Sequence, residues 1–262
     1  MNFDFLALGA HPDDIELGCA GTLIKLARLG YRTAAITLTR GESGTRGTPE
    51  IRAREFELAA QHMLLTHSRM LDLPDAAIAE TQLNKLKLVQ VMRELRPQLV
   101  ATVHWQARHP DHIHTSHLVR DAAMLAGLKN LDMKPLREAT RSAAERNAIE
   151  TTPAWYPRRV LFFPERYEAP ISFIVDITDA FEQKMAAIRA HESQFYNANM
   201  AQYGDEQTSI SRPEFLEFIE HQNQRWGDMI GVKYGEAFYL REAVRLDDPI
   251  AAFGEWCEHT FP

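Results

Sequence analysis

The sequence predicts an α/β fold in which a mostly parallel sheet is covered by helices on both faces. Three observations carry that expectation. Short apolar runs alternate with longer amphipathic segments through the first 130 residues, a rhythm that implies right-handed βαβ crossovers. The tripeptide His-Pro-Asp occurs at 11–13 and again at 109–111, each time shortly after an apolar run. No internal repeat or low-complexity tract interrupts the pattern, so one domain over residues 1–262 is expected.

Residues 3–8 (FDFLAL) read as a buried strand, and after the turn GAHPDD a helix runs through Leu29 and closes at Gly30. Residues 32–39 (RTAAITLT) form a second strand, followed by the loop RGESGTRGT. Thr48 can cap the next helix with Pro49 at its first position, and Ala53, Phe56, Ala60 and Met63 recur on one face. A short strand at 70–73 precedes a helix at 83–95 that ends at Arg96-Pro97. The strand 99–103 (LVATV) feeds into RHPDHIHTSH, and residues 115–128 are expected to be helical.

Residues 130–158 carry mixed charges and break the rhythm, as an insertion does. RVLFF (159–163) and SFIVDI (172–177) read as further strands. Asp179 and Glu182 have capping-box spacing ahead of a helix reaching about 195; Ser211 and Glu214 repeat it before a helix ending near 230. Residues 197–210 are expected to form a mobile loop, with a C-terminal elaboration beyond.

Composition narrows the function classes. Hydrophobic residues make up 45% and charged residues 25% of the chain, enough apolar surface for a sizeable core. A formal net charge of −7 argues against a nucleic-acid or anionic-membrane surface. Cys19 and Cys257 lie far apart and match no disulfide framework or cysteine-based zinc spacing. The start, MNFDFLALGAH, has no basic region and too short an apolar run for a signal peptide or span, so a cytoplasmic location is expected.

The two His-Pro-Asp turns hold the chemistry. In open α/β sheets, sites form where chains leave the carboxyl ends of strands, and both turns sit at such places. Residues 108–117 contain His109, His112, His114 and His117, four of the 11 histidines in the chain. Together the turns offer imidazoles and carboxylates, the donor set of zinc or another divalent first-row metal. Taken alone, Asp13 or Asp14 would more often cap a helix, and a surface histidine pair would usually mean nothing. The glycines of GCAG do not make a dinucleotide loop, because G-x-G-x-x-G is absent and they fall inside the expected helix. Two ligand-rich turns at strand ends outweigh these readings and point to a metal site at the carboxyl ends of the strands.

The motifs AHPDDIELGCAGTL (10–23), TRGESGTRGT with EIRAREFE, RHPDH (108–112), the VDIT segment with its helix ending in SQF, and GVKYGEAF (231–238) occur in order. In this the chain resembles the LmbE/PIG-L family of metal-dependent N-acetylglucosaminyl deacetylases, and within it most nearly the bacillithiol-biosynthesis branch. The resemblance implies a Rossmann-like fold and a zinc held by His11, Asp14 and His112. Two histidines and one carboxylate also suit Fe(II). It places the general base at Asp13 and a transition-state helper at His109, with Asp111 orienting an imidazole from behind. His114 and His117 are not expected to be ligands.

The same resemblance places Glu42 toward the sugar and Arg52 and Arg108 around a malate aglycone, making GlcNAc-malate the expected substrate. Another N-acylated sugar or a thiol conjugate is the alternative; a metal- or sugar-binding module without turnover is the reading from a different class. Related enzymes often bring a tyrosine to the oxyanion from the late region. Here Phe215 aligns with it, and Tyr196 and Tyr203 are the substitutes to consider. The family also suggests a homo-oligomer, such as a hexamer, acting on a small-molecule N-acetylated sugar with no nucleic-acid or membrane partner.

Overall fold

The computed structural model describes residues 2–253 apart from 166–168 and 205; Cys257 lies outside the described residues. Its strands are β1 (Phe3–Gly9), β2 (Thr33–Thr37), β3 (His67–Met70), β4 (Pro97–Val103), β5 (Arg159–Phe163), β6 (Phe173–Asp176) and β7 (Gly235–Leu240). They form a sheet in the order β3-β2-β1-β4-β5-β7-β6. The first five run parallel, and β7 is antiparallel to both β5 and β6. This is the α/β, Rossmann-like arrangement that the sequence predicts, finished by an antiparallel edge.

The larger helices are α1 (Asp14–Arg28), α2 (Pro49–His62), α3 (Gln82–Leu95) and α4 (Pro110–Ala126). The excursion after α4 contains two short ones, α5 (Lys134–Ala139) and α6 (Ala143–Thr151). Then come α7 (Phe181–Arg189), α8 (Pro213–Asp228) and α9 (Pro249–Phe253). Strand alternation divides the core. Phe5 and Ala7 face a cluster built with α1, α2, α7 and α8, whereas Leu6 and Leu8 face one built with α3 and α4. No helix among the described residues is long and apolar enough to cross a membrane.

Order β2-β1-β4 makes the gap between β1 and β4 the topological switch point, where a crevice opens at the carboxyl ends of the strands. Leu8 lies opposite Thr102, so the two strands release their chains at the same level. The two His-Pro-Asp turns therefore emerge side by side.

Several local expectations shift. The third strand occupies 67–70 rather than 70–73, because its ladder to β2 pairs Ala34 with His67 and Thr37 with Met70. The apolar residues beyond still follow β2, through Leu71 N–H to Thr37 O and Leu73 N–H to Leu38 O. The helix expected from 115 begins at Pro110, with His109 as its N-cap, so the histidine cluster forms the first turns of α4. Neither capping box forms. Asp179 instead faces Arg28, Ser211 bonds with Thr208, and α7 stops at Arg189. The strand β7, which begins within GVKYGEAF and ends at Leu240, carries no periodic signal beyond its short apolar run.

Helix α1 is kinked, with Cys19 at φ −150°, ψ 20°. The break frees backbone groups, and buried charges satisfy them. Glu236 accepts from the N–H groups of Gly21 (2.9 Å) and Thr22 (2.7 Å), while Lys184 Nζ donates to Leu17 O (2.9 Å) and to Glu236 Oε1 (2.7 Å).

Candidate active site

The chain leaves β1 through Ala10 and His11 and turns sharply at Asp13, which sits at the N-cap position of α1. Its backbone has φ 125°, a region that L-residues rarely occupy, and its side chain makes no capping bond. The side chain accepts instead from Arg52 Nη2 at 3.1 Å. Strain held at a buried, charged residue is a mark of a functional position. Burial pushes the Asp13 carboxyl up to about 6, although Arg52 pulls it the other way. A carboxylate poised there can accept a proton near neutral pH.

Three donor groups converge beside it. His11 Nδ1 is 3.1 Å from His112 Nε2, His112 Nε2 is 3.1 Å from Asp14 Oδ1, and His11 Nδ1 is 3.6 Å from Asp14 Oδ2. Donors held about 2.0–2.1 Å from a tetrahedral ion lie about 3.3 Å apart, so these residues fit a divalent metal. The far side of each imidazole is also occupied. His11 Nε2 faces Asp75 Oδ1 (3.1 Å) and Asp111 Oδ2 (3.3 Å), and His112 Nδ1 faces the Glu165 carboxylate. A carboxylate behind a ligating imidazole fixes its tautomer and raises its basicity. Burial alone would lower the His11 pKa, yet the hydrogen bond to Asp111 and the nearby carboxylates of Asp14 and Asp75 push it up to about 12. The pocket is built to hold positive charge.

Two other groupings bring donor atoms together: His11 with His109 and His112, and His11 with Asp75 and Asp111. In the second, Asp75 also accepts from Ser43 N–H and Asp111 from the N–H groups of Ala76 and Ile78. His109 uses Nδ1 to accept from Asp111 N–H at 3.2 Å, leaving Nε2 toward the crevice. Burial, with the charges of His11 and His112, holds its pKa below the usual value. That favours a neutral imidazole with one N–H to donate.

Of the residues expected around the substrate, Arg108 lies exposed on the lining of a cavity of about 630 Å³ that also includes His11, Asp14 and His112. Arg52 lines it too, but its two terminal nitrogens are engaged with Asp13, Pro12 O (2.5 Å) and Gly41 O (3.4 Å). Gly41 has φ +67°, and a Cβ there would lie 2.3 Å from Arg52 Nη1, so glycine is needed for this contact. Glu42 is not on the lining; it accepts from Asp75 N–H and Arg40 N–H and so supports the loop that carries Asp75. His114 and His117 share Glu80 away from the crevice. Phe215 lines the cavity and stacks on Phe195, whereas Tyr203 donates to Glu192 and neither it nor Tyr196 is on the lining.

The family signature described as PIG-L, GlcNAc-PI de-N-acetylase, matches residues 6–123, which hold both turns. The uncharacterized deacetylase YaiS of Escherichia coli (strain K12) is 31% identical over 196 residues, covering 72% of this chain and 90% of that one. The chain belongs to the PIG-L (LmbE) family. Diacetylchitobiose deacetylase of Thermococcus kodakarensis is 29% identical over 72% of this chain and 69% of its own length. Among solved structures, the conserved protein TT1542 from Thermus thermophilus superposes with a TM-score of 0.77 at 32% identity, covering 93% of this chain and 97% of that one.

Sequence reasoning missed Asp75 and Glu165. Both follow parallel strands, β3 and β5, at the end where the crevice opens. That position was the available signal.

Proposed function

We propose that this protein is a metal-dependent N-deacetylase of GlcNAc-type substrates. The observation that carries the reading is the meeting of His11 Nδ1, His112 Nε2 and the Asp14 carboxylate beside a buried, strained Asp13 that is not one of the three. We assign His11, Asp14 and His112 as ligands of zinc or Fe(II). When bound, the ion supplies Lewis acidity, lowering the pKa of a water and polarising the acetyl carbonyl.

Asp13 takes the proton from the water as its oxygen adds to the carbonyl carbon. His109 Nε2–H donates to the oxygen on which charge develops. The C–N bond then breaks, Asp13 returns its proton to the departing amine, and acetate is left. Arg52 holds Asp13 in place throughout. Asp75, Asp111 and Glu165 hold the two ligand imidazoles.

A binding module without turnover has no use for Asp13 in a costly backbone conformation, since it adds nothing to the ligand set. For GlcNAc-malate in bacillithiol synthesis, the carboxylates would rest on Arg108, because Arg52 is engaged. The test is amine release from GlcNAc, GlcNAc-malate and N-acetylated thiol conjugates, using protein of measured metal content. Full metal occupancy with no amine released from any of them would sink the enzymatic reading.

A further inference from the structure

Taking the deacetylase reading as its base, we propose that the substrate carries an apolar alkyl or aryl group on the sugar, seated against α8. The cavity of about 630 Å³ is larger than one acetamido sugar fills. Its lining joins the polar groups of the two turns to an apolar wall of Phe163, Pro164, Ile210, Phe215, Phe218 and Ile219. On α8, Phe215, Phe218, Ile219 and Gln222 recur at helical spacing and present one face to the cavity. Gln222 is the polar member of that face, and its amide donates to Glu165 O at 3.2 Å. A wall of this kind offers a sugar hydroxyl or a dicarboxylate little to bind, and exposing it to water is unfavourable.

The geometry also says which end of the substrate meets this wall. Gly18 lies one turn along α1 from Asp14, and Phe163 is pressed onto it so closely that a Cβ would fall 2.2 Å from the ring. No space remains between Gly18 and the Phe163 ring, so an acyl chain cannot extend between them. The apolar face of α8 instead runs outward to Phe218, which is 42% exposed. An apolar group pointing away from the amide, on the anomeric oxygen, follows that path; a lengthened acyl chain does not.

The experiment is a series of N-acetylglucosaminides from methyl to hexyl, plus phenyl, with GlcNAc-malate and the N-butyryl methyl glycoside as further arms. The metal-loaded protein should show kcat/KM rising about two- to four-fold per added methylene, the yield of burying a methylene, with N-butyryl below N-acetyl. Replacing the surface residue in Phe218→Ser should reduce the hexyl-to-methyl ratio about tenfold, a ratio that small losses of folded protein do not alter. A flat series, an unchanged ratio in Phe218→Ser, a gain with acyl length, or GlcNAc-malate outperforming the hexyl glycoside would overturn the proposal. If the methyl glycoside is hydrolysed in a flat series, the deacetylase reading stands alone. If no glycoside is hydrolysed, both readings fall.

Discussion

Arg52 and Asp13 form an ion pair at 3.1 Å with side chains only 5% and 8% exposed. The pair joins α2 to the first His-Pro-Asp turn, and Arg52 clamps the same turn through Pro12 O. This geometry makes Arg52 a support for Asp13, the proposed base, rather than a contact for a substrate carboxylate.

Arg52→Ala should therefore lower kcat for acidic and neutral substrates alike. The loss should approach the range of about 10²–10⁴-fold typical of a disabled general base. The measurement is the ratio of kcat/KM for GlcNAc-malate to that for GlcNAc. A selective loss on GlcNAc-malate would return Arg52 to the substrate.

Asp13→Asn should keep the metal while losing activity by a similar factor, because the amide cannot accept the proton. His112→Ala should lose the metal, whereas His114→Ala and His117→Ala should retain it, since those two side chains meet only at Glu80. Glu165→Gln and Asp75→Asn should weaken metal affinity about 10- to 100-fold, the usual effect of removing the carboxylate behind a ligand. Metal titration of each variant decides these outcomes. Unchanged affinity in Glu165→Gln would detach that carboxylate from the site.

What the sequence made legible follows from how densely it packs its signals. His11, Asp14 and His112 stand in two ligand-rich turns, and strand alternation alone brings those turns to one end of the sheet. Asp75 and Glu165 are lone carboxylates in ordinary loops, and only the paths of β3 and β5 aim them at the imidazoles. The capping boxes misled because Ser/Asp-x-x-Glu spacing is a local pattern. Pro213 at the first position of α8 and the Arg28–Asp179 contact redirect those side chains. Glu236 and Lys184 were invisible for another reason. Their task is to fill backbone valences opened by the kink at Cys19, and the kink exists only in the packed helix.

That ion pair makes its own prediction, since neither Lys184 nor Glu236 has any exposure. Lys184→Met leaves Glu236 charged and buried, and breaking one side of such a pair costs about 3–5 kcal/mol. Glu236→Ala should cost at least as much, because it also orphans the N–H groups of Gly21 and Thr22. Denaturant unfolding of the metal-loaded protein measures both. A cost near zero in Glu236→Ala would mean that α1 straightens when the cap is removed.

A second buried pair, His191 Nε2 with Glu16 Oε1 at 3.2 Å, sets a pH dependence of stability. Burial alone would lower the His191 pKa, and Arg52 also acts downward. The negative charge of Glu16, 3.2 Å away, together with that of Asp13, outweighs them and raises it above the ordinary 6.5. A histidine that binds its proton more tightly when folded adds stability fully below the unfolded pKa. That contribution disappears as pH rises through the folded value. The stability of the wild type relative to His191→Gln should therefore be greatest below the ordinary 6.5 and shrink as pH rises above it. Using the difference between two metal-loaded proteins removes the shared pH dependence of metal binding. A gap that stays constant or widens as pH rises would mean that His191 is neutral in the folded protein.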